Sequence, residues 1–249
     1  MNKIWSSLSI LGVVAILAVP AVAQDKSAFT AAQREQLKTL VHDYLMENPE
    51  VIAEAIGKLQ EKEEAKKDQD RLATIAMNKQ ELINPKEQTA IGNLQGDITI
   101  VEFFDYNCGY CKSMFNDLLQ VMKSDGKIKI VTKEFPILGP SSITATKAAL
   151  ASRNQRKYAE FHQALMTYKG GLNDAAIMTV AKGVGLNVEK LQEDMKDPEF
   201  DKLIEKNHDL AKQLGITGTP ALLIGDTFIG GAIGKDRLVS LIAAARKKS

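Results

Sequence analysis

The sequence predicts an α/β domain in the order βαβ, helical insertion, ββα, preceded by a helical arm. Three observations predict it. Hydrophobic periodicity switches between the strand and helix periods along 85–249. Helical spacing alone governs about 30–83. Two cysteines, three apart, lie where a strand hands over to a helix.

Residues 1–23 read as a targeting segment. Lys3 gives a basic start, Leu8 to Val19 is apolar apart from Ser9 and Gly12, and Pro20 leads into Ala21-Val22-Ala23, a small-x-small cleavage pattern before Gln24. That run falls short of the ~20 residues a spanning helix needs, so a cleaved signal peptide is expected rather than a membrane anchor. No later stretch is apolar enough to span. The expected location is the periplasm or the medium, with surface association left open, and such compartments permit disulfides. Cleavage removes Lys3 and no acid, leaving 31 basic against 31 acidic residues. A neutral balance gives no electrostatic reason to expect nucleic acid.

The arm is assigned to 24–84. Leu37, Leu40, Val41, Tyr44 and Leu45 line one helical face, Asn48-Pro49 breaks the helix, and Pro49 suits the first turn of the next. Val51, Ile52, Ala55, Ile56 and Leu59 continue the stripe. From Gln60 to Arg71 the chain is charged or polar all round, as in a spacer between parts or a helix that does not form. Leu72, Ile75, Ala76, Leu82 and Ile83 restore periodicity before Asn84-Pro85. Such an arm buries little alone. Oligomerisation against a partner's copy is therefore expected, rather than folding back onto its own domain. Dimer and trimer both remain open, because the stripe is too short for a heptad argument.

In 85–249, Ile98 to Phe104 reads as a strand ended by Asp105-Tyr106-Asn107, and a helix follows from Cys108 to about Met122. Ile128 to Thr132 forms a second strand, giving a right-handed crossover. Four helical patterns fill the insertion at about 141–214, marked by Ile143 and Leu150, Phe161 and Leu165, Ile177 and Val180, and Leu203 to Leu214. Ala221 to Ile224 and Thr227 to Gly230 read as a hairpin across Gly225-Asp226, and a closing helix runs from Lys235 to about Lys247.

The cysteine arithmetic points to redox chemistry. A four-residue loop gains only ~2 kcal/mol from closure, so a structural crosslink has little use there. A zinc site needs further ligands, yet no other cysteine exists and His42, His162 and His208 are scattered. At a helix start, unpaired N–H groups favour a thiolate, and the thiolate is the nucleophile. Cys108 is expected to be the more exposed, attacking sulfur, and Cys111 the resolving thiol one turn in. Gly109 stands where proline would preorganise the first turn, so Gly109-Tyr110 is expected to alter the redox poise. His162 reads as a helix-face residue rather than a catalyst.

The run Val101-Glu102-Phe103-Phe104-Asp105-Tyr106-Asn107-Cys108-Gly109-Tyr110-Cys111 resembles the active-site strand and helix start of the DsbA family of thioredoxin-like oxidoreductases. Thr217-Gly218-Thr219-Pro220 is similar to that family's cis-proline loop, and Lys133-Glu134-Phe135-Pro136-Ile137-Leu138-Gly139 also resembles it. The arm, with Asn48-Pro49-Glu50-Val51-Ile52, is similar to that of ScsC-like members that oligomerise through the N-terminus. The resemblance implies a thioredoxin-like fold, with Cys108 as nucleophile, Cys111 as its partner and Glu102 as a buried acid relaying a proton. It implies that Thr219, Pro220, Gly109 and Tyr110 meet an extended substrate peptide. Gly109-Tyr110 departs from the Pro-His of well-known oxidases, which puts strongly oxidising character in doubt.

The expected function is thiol–disulfide exchange on exported proteins, as an isomerase or reductase if oligomeric, with a further protein recycling the site and no cofactor beyond the Cys108–Cys111 disulfide. Two alternatives stand: a monomeric dithiol oxidase, and an exported Cu(I)-binding or thiol-protecting chaperone with the cysteines as soft ligands.

Overall fold

In the computed structural model, which describes residues 29–83 and 89–248, contacts divide the chain into two units between Gln60 and Glu61. The signal peptide expected at 1–23 and the Asn84-Pro85 break lie outside the described residues. In the first unit, helix α1 (Ala31–Glu47) starts at a capping box. The Thr30 hydroxyl accepts from the Gln33 amide at 3.3 Å, and the Gln33 side chain accepts from the Thr30 amide at 2.9 Å. The Asn48 amide and side chain both donate to the Tyr44 carbonyl, ending the helix at Glu47, two residues before Pro49.

Helix α2 (Glu50–Met77) runs unbroken through the charged segment. Helix α3 (Lys79–Ile83) follows. Residues 61–83, read above as arm, lie in the second unit. The physical reason is burial. Ile75 and Leu82 pack with Val101, Phe103, Val131 and Leu223, apolar residues of the strands described next. Arg71 stacks on Phe228 at 4.0 Å and donates to the Leu214 carbonyl at 2.9 Å.

The second unit is built on a sheet of order β1-β3-β2-β4-β5. Its strands are β1 (Ala90–Gly92), β2 (Ile98–Phe104), β3 (Ile128–Glu134), β4 (Ala221–Ile224) and β5 (Thr227–Gly230). Strands β2 and β3 pair in parallel, joined by helix α4 (Gly109–Asp125), and β4–β5 is the expected hairpin across Gly225-Asp226. The short β1, antiparallel to β3, is an addition to the sequence reading. Three residues carry too little periodicity to announce a strand.

Between β3 and β4 lie α5 (Pro140–Ala151), a 3-10 turn (Ser152–Gln155), α6 (Tyr158–Thr167), α7 (Asp174–Gly183), α8 (Val188–Asp194) and α9 (Glu199–Gln213). The sequence reading omits α8, whose seven residues bury one apolar side chain, Leu191. Helix α10 (Lys235–Arg246) closes the chain. Alternation sorts β2 between two faces: Ile98, Ile100 and Phe104 join the core under α4, α5 and α6, whereas Val101 and Phe103 join the opposite core. Glu102 therefore lies on the α4 face.

Candidate active site

Strand β2 delivers the chain into Asp105-Tyr106-Asn107, and Cys108 caps α4. Asp105 fastens this turn. Its fully buried carboxylate accepts from the Asn107 amide at 2.7 Å, the Ser142 hydroxyl at 2.7 Å, and the Ile137 and Leu138 amides at 2.8 and 3.0 Å. Asn107 donates to the hydroxyls of Ser141 and Ser142 and accepts from the Leu172 amide. The segment before the cysteine is thus tied to α5 and to two loops.

The Cys108 sulfur accepts the Cys111 amide hydrogen at 3.3 Å, the bond a helix N-cap supplies with an oxygen. The Thr219 carbonyl oxygen lies 3.4 Å from the same sulfur, across from the strand-to-helix turn. The hydrogen bond from the Cys111 thiol, aided by the Thr219 hydroxyl and the Cys111 and Tyr110 amides against burial, holds the Cys108 thiol down at about 6. The same thiol-to-thiolate hydrogen bond and burial push Cys111 well up. One sulfur is ionised near neutral pH and the other keeps its proton, as nucleophile and resolving thiol require.

Cys108 is 6% exposed and Cys111 0%. The expected order of exposure holds, but Cys108 is largely covered. Gly109 and Tyr110 are exposed, Thr219 is half-buried, and Pro220 is buried behind a cis peptide bond. A cavity of about 280 Å³ lined by Ile216, Thr219, Pro220, Phe228 and Gly231 borders that loop.

Glu102 is fully buried, and neither carboxylate oxygen has a hydrogen-bond partner. Burial, then the Cys108 charge and that of Glu134, push its carboxyl up to about 8. Glu102 in turn helps raise Cys111. The structure therefore brings Cys108, Cys111, Glu102, Thr219 and Pro220 together, with Gly109 and Tyr110 at the rim. Among the described residues no group of three or more His, Cys, Asp or Glu side chains is arranged to hold a metal ion.

Three buried residues escape the sequence reading. His162 lies on the buried face of α6: it is 0% exposed, its Nδ1 is 2.9 Å from the Tyr106 hydroxyl, and burial lowers its pKa to about 3. Tyr106 also bonds Glu134, which is fully buried at the end of β3. The available signal for Glu134 is its spacing, two residues beyond Thr132 on an alternating strand.

A pair of cysteines three apart at a helix start, facing a cis-proline loop on a βαβ…ββα sheet, defines the class of thioredoxin-fold proteins. More particularly, this chain belongs to the DSBA-like thioredoxin domain family, which it matches over residues 99–243. Residues 33–66 match the N-terminal domain of the copper resistance protein ScsC. A thioredoxin-like oxidoreductase from Silicibacter pomeroyi is 39% identical, with TM-score 0.67 over 69% of this chain and 99% of that one. Proteus mirabilis ScsC in a transitional conformation is 32% identical, with TM-score 0.66 over 89% of this chain and 100% of that one. Among curated relatives, disulfide bond formation protein D of Bacillus subtilis is 28% identical over 163 residues, covering 58% of this chain and 70% of that protein. The Na(+)/H(+) antiporter NhaA 1 of Salinispora arenicola is 22% identical over 165 residues, 66% of this chain, which spans only 25% of that longer protein.

Proposed function

We propose that the protein is a thiol–disulfide oxidoreductase acting on exported proteins, and that it works as an oligomeric isomerase or reductase. The observation that carries this is the Cys108 sulfur at the start of α4, accepting the Cys111 amide hydrogen while Cys111 retains its proton. The Cys108 thiolate attacks one sulfur of a substrate disulfide, forming a mixed disulfide and expelling the other substrate sulfur as a thiolate. Cys111 then loses its proton and attacks Cys108, releasing the second substrate sulfur. The substrate disulfide is reduced to a dithiol and the protein dithiol is oxidised to a disulfide. The reverse direction oxidises a substrate dithiol, and a redox partner resets the site.

Glu102 acts on the Cys111 thiol across the core, and a carboxyl near 8 can both give and take a proton at neutral pH. Thr219 and Pro220 meet the substrate backbone beside Cys108, with Tyr110 at the exposed rim. The oligomeric reading rests on α1 and the start of α2, where Leu40, Tyr44, Ile56 and Leu59 are all at least half exposed. Linked copies raise the effective concentration of one active site at a disulfide opened by another. Cleavage after Ala23 and export to the periplasm or medium complete the proposal.

Insulin reduction tests it. Reduced protein should accelerate precipitation and refold a scrambled substrate, Cys108→Ser should abolish both, and Cys111→Ser should accumulate a mixed disulfide. Inert reduced protein that binds one Cu(I) tightly would replace this reading with the metal-binding one.

A further inference from the structure

Beside the dithiol, on the same face of the sheet, lies a buried polar chain that the exchange reaction leaves unused. Thr132 on β3 donates its hydroxyl hydrogen to the Thr89 carbonyl at 2.8 Å, an acceptor that has nothing to give back. The Thr132 oxygen is also 2.7 Å from the Tyr158 hydroxyl, so that link takes the Tyr158 hydrogen. Tyr158 is then 2.9 Å from Glu134 Oε1 with no hydrogen left to offer. Three links share two hydroxyl hydrogens, and the third hydrogen has to come from the Glu134 carboxyl. An ionised Glu134 would leave two lone pairs facing each other in a dry interior.

The other side of the cluster agrees. Tyr106 lies 3.2 Å from Glu134 Oε1 and 2.9 Å from His162 Nδ1. If the imidazole donates from Nδ1, Tyr106 is free to donate to Glu134, and the unpartnered His162 Nε2 is a bare lone pair rather than a stranded N–H. Thr146 on α5 donates to Glu134 Oε2 at 3.1 Å.

We propose that Glu134 is a positioning residue of the dithiol site: it carries a proton in the resting protein, holds Tyr106 and so the segment leading into Cys108, and is linked to Glu102 so that the two acids do not ionise together. The linkage follows from the register. Glu102 pairs with Thr132 and Phe104 with Glu134, which makes the two acids diagonal neighbours on one face of β2 and β3. Neutral groups surround Glu134 on most sides: Tyr106 before α4, Tyr158 and His162 on α6, and Thr146 on α5. The charged groups that act on it or on its partner acid are Arg153, which favours its ionised form, and Cys108, whose charge acts on Glu102. Lys133 and its partner Glu81 lie on the opposite face of the sheet. Burial pushes both Glu134 and Glu102 up to about 8, in Glu134 against the hydrogen bonds of Tyr158, Thr146 and Tyr106, and the Glu134 charge disfavours ionisation of Glu102.

The role depends on the proposed exchange reaction, but its test does not require turnover. The infrared carbonyl band of protonated carboxyls is followed from pH 5 to 10 in the full-length reduced wild type and in Glu134→Gln and Glu102→Gln. The expected wild-type band persists at pH 7 and disappears in two steps, because coupled acids titrate as a pair. Each glutamine variant should lose one component, and in Glu134→Gln the remaining step should move down by about one pH unit. Release of a mixed disulfide by Cys111 should shift along pH by the same amount, a change that a purely structural residue would not cause. Glutamine supplies the donor of the protonated acid and should keep the plateau rate while its pH profile is displaced, whereas Glu134→Ala should lose about tenfold at the plateau. A wild type whose band at pH 7 lacks the component that Glu134→Gln should remove would overturn the proposal. So would an unmoved second step in Glu134→Gln.

Discussion

At Glu102 a carboxyl sits in the α4-side core with both oxygens unpartnered and its proton affinity raised. An unsatisfied buried acid is a liability to the fold and an asset to proton transfer. Glu102→Leu is therefore expected to stabilise the reduced protein by roughly 1–3 kcal/mol at pH 8, measured by chemical denaturation. The same change should slow release of the mixed disulfide about tenfold to a hundredfold, measured by single-turnover exchange with a model peptide. Glu102, Cys108 and Cys111 are legible in the sequence because their spacing sets them on one strand and one helix turn. Glu134 and His162 are not: the strand reading ends at Thr132, and whether an acid or imidazole is buried depends on which helix covers it. The resemblance sets the Thr219 loop beside the cysteines, but only the fold shows its carbonyl 3.4 Å from the Cys108 sulfur.

At the scale of elements, the arm ends earlier than its polarity suggests. The charged run Glu61 to Asp70 belongs to α2, and the end of that helix carries Ile75, 6% exposed, into the core that Leu82, 1% exposed, completes from α3. A deletion ending at Gln60 should leave the second unit folded and, on the proposed oligomeric reading, monomeric. A deletion ending at Ile83 strips both side chains and should cost on the order of 4 kcal/mol or more. Thermal denaturation and sedimentation of the two truncations check both statements. Helical spacing announces α1 and the start of α2, but it cannot say which apolar residue of a continuing helix meets the sheet. Leu72 and Ile75 belong to the same sequence stripe, yet Leu72 is 49% exposed.

For the whole molecule, buried ionisable groups set opposing slopes of stability against pH. Glu102 and Glu134 rise from an ordinary 4.5 to about 8. The folded chain then holds more protons than the unfolded one across that window, and stability falls as pH rises through it. His162 drops from 6.5 to about 3, so its contribution is present above 6.5 and is lost as pH falls toward 3. Cys108, down from 9.0 to about 6, favours the reduced fold as pH rises between those values. Denaturation of the disulfide form should therefore give a maximum on the mildly acidic side. The reduced form should retain more of its stability above pH 6, and coincident curves for the two forms would contradict this.

By itself the sequence determined the α/β order, the hairpin, the position of the dithiol at a helix start and the helical character of the arm. Each of these follows from local periodicity, turn chemistry or short spacing. Only the tertiary structure decided where the arm yields to the domain, how Thr219 covers Cys108, and that Glu102, Glu134, Tyr158, Tyr106 and His162 share one dry interior. Burial and hydrogen-bond closure arise between segments far apart in the chain, and they raise the proton affinity of both carboxyls.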